Sequence, residues 1–135
     1  MPKIKLKSLD NYLFNVTIPV RISDINYGNH LSNDSMVSIL HEARLRFLQS
    51  LGYKDEIGVG MIMQDLAVNF KAESFLNDTL TVYVGVAEKT RLSVRVYYKV
   101  ENQENKLVAL AETGMAFLDY KTRKLAPVPD KLNSC

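Results

Sequence analysis

The sequence of 135 residues contains one cysteine, Cys135, and two histidines. A single thiol excludes a disulfide within the chain and excludes a pair of thiolates as metal ligands. His30 falls in a predicted loop and His41 inside a predicted helix, so a zinc site is hard to build from them. We therefore expect no metal.

The sequence also lacks long apolar runs and blocks of like charge. No apolar segment approaches the roughly 18 residues that a membrane helix needs. The lysines at positions 3, 5 and 7 precede no apolar run, so they predict an edge strand or an ordered tail and not a targeting signal. The 17 basic and 15 acidic residues leave a net charge of only +2, which does not indicate nucleic acid. We expect a soluble, cytoplasmic protein that binds neither nucleic acid nor a membrane.

The composition is that of an ordinary globular domain, with 47% hydrophobic and 24% charged residues. The chain has no internal repeat and no low-complexity segment. A chain of this length is expected to bury about two thirds of its unfolded surface on folding, so no second core is needed. The sequence therefore predicts one domain over residues 1–135.

A helix is predicted from Met36 onward, because apolar residues recur at 36, 40, 43, 47 and 51. Gly52 follows the last of them and is a typical C-terminal cap. The predicted helix has about 18 residues and a length of about 27 Å. Within it, Glu42 is one turn before Arg46, which favours a surface ion pair over a role in an active site.

The polar loop before this helix is the first candidate for chemistry. Five polar side chains fall between positions 24 and 33: Asp24, Asn26, Asn29, His30 and Asn33. Residues 32–34 are good helix N-caps, so the loop should meet the positive end of the helix dipole. Free backbone N–H groups there make a candidate oxyanion site.

Alternating apolar residues predict strands at 11–22, 59–71, 79–88, 92–101 and 106–120, with a hairpin turn at 102–105. Pro19 favours an edge position for the first strand. The segment 121–135 contains Pro127 and Pro129 and is predicted to be an irregular tail on the body. One helix against an antiparallel sheet is an α+β arrangement.

The second predicted strand is apolar on both faces, which indicates a strand covered on both sides. Asp65 within it would be a buried carboxylate that needs a partner, and it is a secondary site candidate. The second strand and the later strands together supply more apolar surface than one helix should cover, which favours a homo-oligomer. The residues of the later strands are Val94, Val96, Tyr98, Val108, Leu110, Met115 and Phe117.

The motifs resemble a known family. The loop reads Val20-Arg21-x-x-Asp24-x-Asn26-x-x-Asn29-His30-x-x-Asn33, the helix carries Glu42-Ala43-Arg44, and Phe70-Lys71-Ala72 precedes Asp78-x-Leu80. The pattern is similar to that of hotdog-fold acyl-CoA thioesterases related to 4-hydroxybenzoyl-CoA thioesterase and to plant acyl-carrier-protein thioesterases. Their loop commonly reads Asp-x-Asp-x-x-Gly-His-x-Asn-Asn. Asp24, His30 and Asn33 match it, and the chain departs from it at Asn26, Asn29 and Ser32.

The resemblance, which covers about residues 12 to 130, implies a hotdog fold in which an antiparallel sheet of about five strands wraps one long helix. It implies a homodimer or homotetramer in which two sheets pair edge to edge and the active sites lie at the dimer interface. The substrate would be a thioester of coenzyme A or of acyl-carrier protein, and no metal or redox cofactor is required. Coenzyme A enters only as part of the substrate.

The resemblance also changes how the loop is interpreted. An aspartate after a strand is usually a turn residue, but the match makes Asp24 a candidate catalytic base or nucleophile, unless an ion pair holds its carboxylate. His30 either pins the loop or takes part in catalysis. Asn26 stands where the family has an acid, and is expected to orient water or the thioester. Backbone N–H groups near His30 to Ser32 are expected to polarise the carbonyl.

The predicted substrate-binding residues are Asn29, Leu31, Ser32 and Asn33 in the loop, with Lys89 and Arg91 as partners for the phosphates of coenzyme A. Two other functions stay open. The first is a hotdog hydratase acting on an enoyl thioester, because such enzymes use an Asp and a His separated by a short loop that contains an Asn, and Asp24, Asn26 and His30 are similar. The second is an acyl-thioester binder without catalysis. Met61, Met63 and Phe70 predict an apolar tunnel for the acyl group.

Overall fold

The computed structural model describes residues 3–53 and 59–135. Its elements in chain order are β1 (Phe14–Pro19), a single 3-10 turn (Ile22–Asp24), α1 (Asn33–Ser50), β2 (Val59–Phe70), β3 (Thr79–Ala87), β4 (Ser93–Glu101), β5 (Leu107–Asp119), β6 (Lys124–Ala126) and α2 (Asp130–Asn133). The predicted order from β1 to β5 is confirmed.

The sheet is antiparallel with the strand order β1-β3-β4-β5-β2, and β6 pairs with β5. Neighbouring strands place residues of like character opposite one another, for example Val94 opposite Met115 and Tyr98 opposite Ala111. These residues belong to one core with the buried face of α1. The arrangement confirms the predicted α+β class.

The apolar stripe of α1 is buried as its spacing predicts. Met36, Leu40, Ala43 and Phe47 are at most 2% exposed. Gly52 has φ +91°, a left-handed conformation that costs a residue with a Cβ more than it costs glycine. The predicted helix and its cap are both confirmed. Within the described residues, no helix combines the length and the apolar character that a membrane span requires.

The first strand is shorter than predicted. It begins at Phe14 and ends at Pro19, and Ile22 is 77% exposed in the 3-10 turn. The backbone N–H of Arg21 donates to the side chain of Asp24, which draws the chain out of the strand. The edge position predicted from Pro19 is confirmed, since β1 lies at one end of the strand order, beside β3.

The prediction that β2 is covered on both faces is wrong. Met63, Leu66 and Phe70 lie on the helix side of the sheet, opposite Met115, Thr113 and Ala109. They are nevertheless 37%, 38% and 51% exposed. The reason is the position of β2 at the other end of the strand order, where its neighbour is β5.

The apolar residues expected to leave a patch on β4 and β5 are instead buried within one chain. Val94, Val96, Tyr98, Val108, Leu110, Met115 and Phe117 are all 7% exposed or less. All of them except Leu110 belong to the core cluster that includes the buried face of α1. In β2, by contrast, Ile62, Met63, Leu66 and Phe70 are exposed.

Residues 3–13 and 121–135, the terminal segments that the structure describes, are both ordered. Asn69 accepts a hydrogen bond from the N–H of Leu6 and donates one to the carbonyl of Ile4, both at 2.8 Å, so the N-terminal segment is an ordered tail and not a strand. The C-terminal segment is not irregular, because it contains β6 and α2. It packs on the body as predicted, through the buried side chains of Val128 and Leu132.

Candidate active site

The polar loop closes on itself before α1 begins. An isolated antiparallel bridge pairs Ile25 with Leu31, and the N–H of Asn26 donates to the carbonyl of His30 at 3.0 Å. The N–H of Leu31 donates to the carbonyl of Ser74 at 2.7 Å. The loop is thereby tied to the segment that follows β2.

Two of the predicted oxyanion donors, the N–H groups of Leu31 and Ser32, need a correction. The N–H of Leu31 is used by Ser74, and the N–H of Ser32 donates to the carbonyl of Asp24 at 2.9 Å. These two amides close the loop and are not free for a ligand. In the described part of the chain, no hydrogen bond engages the N–H of Asn33, the first residue of α1.

A cavity of about 270 Å³ lies where the loop, the start of α1 and the end of β2 meet. Its lining residues are His30, Leu31, Asn33, Met36, Phe70, Lys71, Ala72, Glu73, Ser74 and Val108. The apolar members suit an acyl or pantetheine chain, and the polar members offer an imidazole, an ion of each sign and two hydrogen-bonding side chains.

His30 presents one ring nitrogen as an acceptor. Its Nδ1 lies 3.2 Å from the carbonyl of Leu31, and a carbonyl can only accept, so Nδ1 carries the proton. In the neutral ring Nε2 then holds the free lone pair. A Cβ placed on Gly28 would lie 3.0 Å from that Nε2. Glycine at position 28 therefore leaves room for the ring.

Asn26 lies beside His30 and has a structural task. Its Oδ1 accepts the N–H of Gly28 at 2.9 Å, which forms a tight turn. A Cβ added to Gly28 would lie 3.3 Å from this Oδ1, as well as close to Nε2 of His30. Asn29 completes the turn at φ +64°, a conformation that asparagine tolerates better than most residues.

Asp24 is 4% exposed, and Arg21 holds its carboxylate. The backbone N–H of Arg21 donates to Oδ2 at 2.9 Å, and its guanidinium lies 3.2 Å from Oδ1. Burial raises the pKa of Asp24, but hydrogen bonds from Arg21 and Ser35 outweigh it and hold the pKa below its ordinary value. This is the ion pair that argues against Asp24 as the attacking group.

Asp24 and His30 line different cavities. Asp24 lines a second, smaller cavity of about 130 Å³, together with Ile18, Pro19, Arg21, Ser38, Ile39 and Glu42. Glu42 also forms the predicted pair with Arg46, at 3.7 Å. Within one chain the structure therefore brings His30 together with Asn26 and Asn33, and leaves Asp24 with Glu42.

The two predicted phosphate ligands lie far from the loop. Lys89 and Arg91 follow the last residue of β3, whereas the cavity lies near its first residue, and a nine-residue strand spans about 30 Å. The ammonium of Lys89 donates to the carbonyl of Asn133 at 2.9 Å. One chain alone does not place these cations at the cavity, and their role stays a prediction.

Two further predictions about β2 need correction. Asp65 is not buried: its side chain is 55% exposed and pairs with Arg95 at 3.0 Å on the face away from α1. Of the three residues expected to line a tunnel, Phe70 lines the larger cavity, but Met61 and Met63 do not. In the described ranges, no group of three His, Cys, Asp or Glu side chains could hold a metal ion.

Sequence reasoning missed Glu73 and Ser74. Both reach the cavity because β2 ends at Phe70 and the chain then passes over the start of α1, where the Leu31 to Ser74 hydrogen bond fixes it. No local periodicity marks such residues. The only signal was the resemblance of Phe70-Lys71-Ala72 to a turn of the family.

Comparisons with known proteins agree with the fold. The family model of the thioesterase-like superfamily matches residues 20–134, so the chain belongs to that superfamily. No curated protein matches the sequence. A 1,4-dihydroxy-2-naphthoyl-CoA thioesterase from Synechocystis superposes with a TM-score of 0.81 at 19% identity, covering 90% of this chain and 93% of that one.

Two structures from Staphylococcus aureus are similar as well. A hypothetical protein in complex with CoA has a TM-score of 0.83 at 17% identity, covering 96% of this chain and 84% of that one. A DHNA-CoA thioesterase has a TM-score of 0.77 at 20% identity, covering 84% and 78%. At these identities the likeness establishes the hotdog fold, as the loop motif predicts.

Proposed function

We propose that this protein hydrolyses an acyl thioester, with coenzyme A as the thiol, in the cavity beside the first turn of α1. The observation that carries the proposal is the shared wall of that cavity, where the acceptor-bearing imidazole of His30 lies next to the start of α1 at Asn33. Membership of the thioesterase-like superfamily supports the reaction class. The CoA complex of a protein with the same fold supports the thiol.

In the proposed reaction, Nε2 of His30 removes a proton from water as the water oxygen attacks the thioester carbon. The carbonyl oxygen takes up the negative charge, and the N–H of Asn33 stabilises it with the positive end of the α1 dipole. The C–S bond then breaks, the departing thiolate takes the proton from Nε2 of His30, and the carboxylic acid and the thiol leave. A thiolate departs without strong acid assistance, so one base and one amide donor can suffice.

Asp24 remains the alternative base or nucleophile. For that role its carboxylate would have to leave Arg21 and Ser35, and its pKa lies below its ordinary value because of them. A carboxylate with a lowered pKa is a weaker base. The geometry therefore favours His30 over Asp24.

A non-catalytic acyl-thioester binder is the second candidate, and one specific observation favours it. Asn26 occupies the position where related loops carry an acid, and its side chain closes a turn with Gly28. A hotdog protein with Asp24 held in an ion pair and Asn26 in place of an acid could bind a thioester without turnover.

We propose that two copies pair through β2. This strand is 12 residues long and lies at the edge of the sheet, with Met63, Leu66 and Phe70 more than a third exposed. Long apolar edges are rare in monomers, since they invite pairing. Phe70 also lines the cavity, so a partner on this edge would lie beside the site. Sedimentation equilibrium should give a dimer or tetramer for the wild type and a lighter species for Leu66→Lys.

The reaction is tested with a panel of short, long and aromatic acyl-CoAs and crotonyl-CoA, followed by thiol release with a thiol-reactive dye and by mass spectrometry of the acid. Hydrolysis releases thiol and acid in equal amounts. A hydratase would add water to crotonyl-CoA without releasing thiol. Binding by calorimetry with no product on any substrate would establish the binder and reject the hydrolase.

A further inference from the structure

Ser74 stands out among the serines near the site. It is 2% exposed, and within the described residues its Oγ has no hydrogen-bond partner. The neighbouring Ser32 has a partner, since its Oγ donates to the carbonyl of Asp24 at 3.1 Å. A buried hydroxyl without a partner is unfavourable and uncommon in native proteins.

The position of Ser74 is fixed although its hydroxyl is not. Its carbonyl accepts the N–H of Leu31 at 2.7 Å, so the backbone of Ser74 is tied to the loop that carries His30. Ser74 and His30 line the same cavity. Since no described residue forms a hydrogen bond with its Oγ, the hydroxyl of Ser74 can turn about the Cα–Cβ bond toward a bound molecule.

We infer that Ser74 is a ligand-binding residue whose hydroxyl donates a hydrogen bond to the acyl carbonyl oxygen of the bound thioester. This inference rests on the proposed function and deepens it. The amide of Asn33 and the hydroxyl of Ser74 belong to two different chain segments that meet at the cavity. Together they form a two-donor site for the carbonyl. They take the place of the N–H groups of Leu31 and Ser32, which hold the loop closed.

The test compares ligands that differ only in the carbonyl. S-phenacyl-CoA keeps a ketone beside a methylene and cannot be hydrolysed, and S-phenethyl-CoA has the same shape without the oxygen. S-acetonyl-CoA and S-propyl-CoA form a second, smaller pair. Calorimetry should show Ser74→Ala binding the ketone of a pair about tenfold more weakly than wild type, as expected for one lost hydrogen bond. Binding of the carbonyl-free partner should be unchanged.

Stability provides the matching readout. Ser74→Ala removes an unpaired buried hydroxyl, so its Tm should equal or exceed that of the wild type. Thr113→Val is the control, because Thr113 is buried outside the cavity and its Oγ1 lies 2.7 Å from the hydroxyl of Tyr98. Thr113→Val should lower the Tm and leave the affinity for the ketone and for its carbonyl-free partner unchanged.

If Ser74→Ala loses equal affinity for the ketone and for its carbonyl-free partner, or loses none for either, the inference is overturned and the proposed hydrolysis stands. A wild type that binds none of the four ligands would overturn both. A wild type that discriminates through Ser74 but releases no thiol from any acyl-CoA would reject the hydrolase and support the inference.

Discussion

Replacing Tyr98 with phenylalanine should destabilise the protein strongly, because its hydroxyl joins α1 to the sheet. Tyr98 is 1% exposed, and its oxygen accepts a hydrogen bond from Nη1 of Arg44 at 2.9 Å and lies 2.7 Å from Oγ1 of Thr113. Arg44 is itself 5% exposed, and its other terminal nitrogen donates to Nδ1 of His41 at 2.8 Å. Burial, followed by the charge of Arg44, lowers the pKa of His41, which favours the neutral ring that this bond requires.

Tyr98→Phe removes the acceptor of a buried guanidinium N–H and the partner of a buried hydroxyl. A hydrogen bond to a charged group contributes about 1.5–3 kcal/mol and a neutral one about 0.5–1.5 kcal/mol, so the loss should be about 2–4.5 kcal/mol. Urea unfolding followed by circular dichroism measures it as a lower midpoint at constant slope.

Tyr83→Phe is the control for this prediction. Tyr83 lies on the other face of the sheet and packs against Tyr12 with a ring-centroid distance of 6.1 Å. Its replacement should cost no more than about 0.5 kcal/mol. If Tyr98→Phe is as mild as this control, the network does not join the helix to the sheet as the distances indicate.

Three other predictions concern the frame around the site. Gly52→Ala should cost about 1 kcal/mol in unfolding free energy, because residue 52 has φ +91°, and an unchanged midpoint would contradict this. The pKa of Asp24 is lowered in the fold, so the stability that its carboxylate contributes is present above its unfolded pKa and is lost as the pH falls below about 4. Asp24→Asn should therefore flatten the acidic part of the plot of unfolding free energy against pH. An unaltered plot would show that the pair of Asp24 with Arg21 is not stabilising. Asn69→Ala should release residues 3–12 to faster amide exchange with little change in the exchange of β5, and equal protection in both proteins would refute the anchor.

The sequence predicted the elements whose causes are local. The spacing of Met36, Leu40, Ala43 and Phe47 specifies one face of a helix, and Gly52 ends it for a backbone reason that sequence can reveal. The three antiparallel strands β3, β4 and β5 were equally predictable, since their apolar residues alternate and the residues of the turns between them are polar. Such features require no knowledge of which elements become neighbours.

The errors came from features that depend on distant parts of the chain. Periodicity extended β1 to Ile22, because it does not register the hydrogen bonds between Arg21 and Asp24 that end the strand. The apolar pattern of β2 resembled that of a central strand, and only the strand order revealed an edge.

The candidate site was predictable only in part. The loop motif located His30 and Asn33, but it also placed Asp24 beside them, and the structure puts that carboxylate in another cavity. Ser74 reached the cavity through a contact with residue 31, more than forty positions away, which one sequence does not encode in any local pattern.

The most direct test of the central claim compares His30→Gln with Asp24→Asn on the acyl-CoA that the wild type hydrolyses fastest. Thiol release is measured at neutral pH with the fold of each variant confirmed by circular dichroism. If His30 is the base, His30→Gln should lower kcat by about 10²–10⁴-fold, and Asp24→Asn should change it less than tenfold. Full activity in His30→Gln with a collapse in Asp24→Asn would contradict the account and return the reaction to the aspartate.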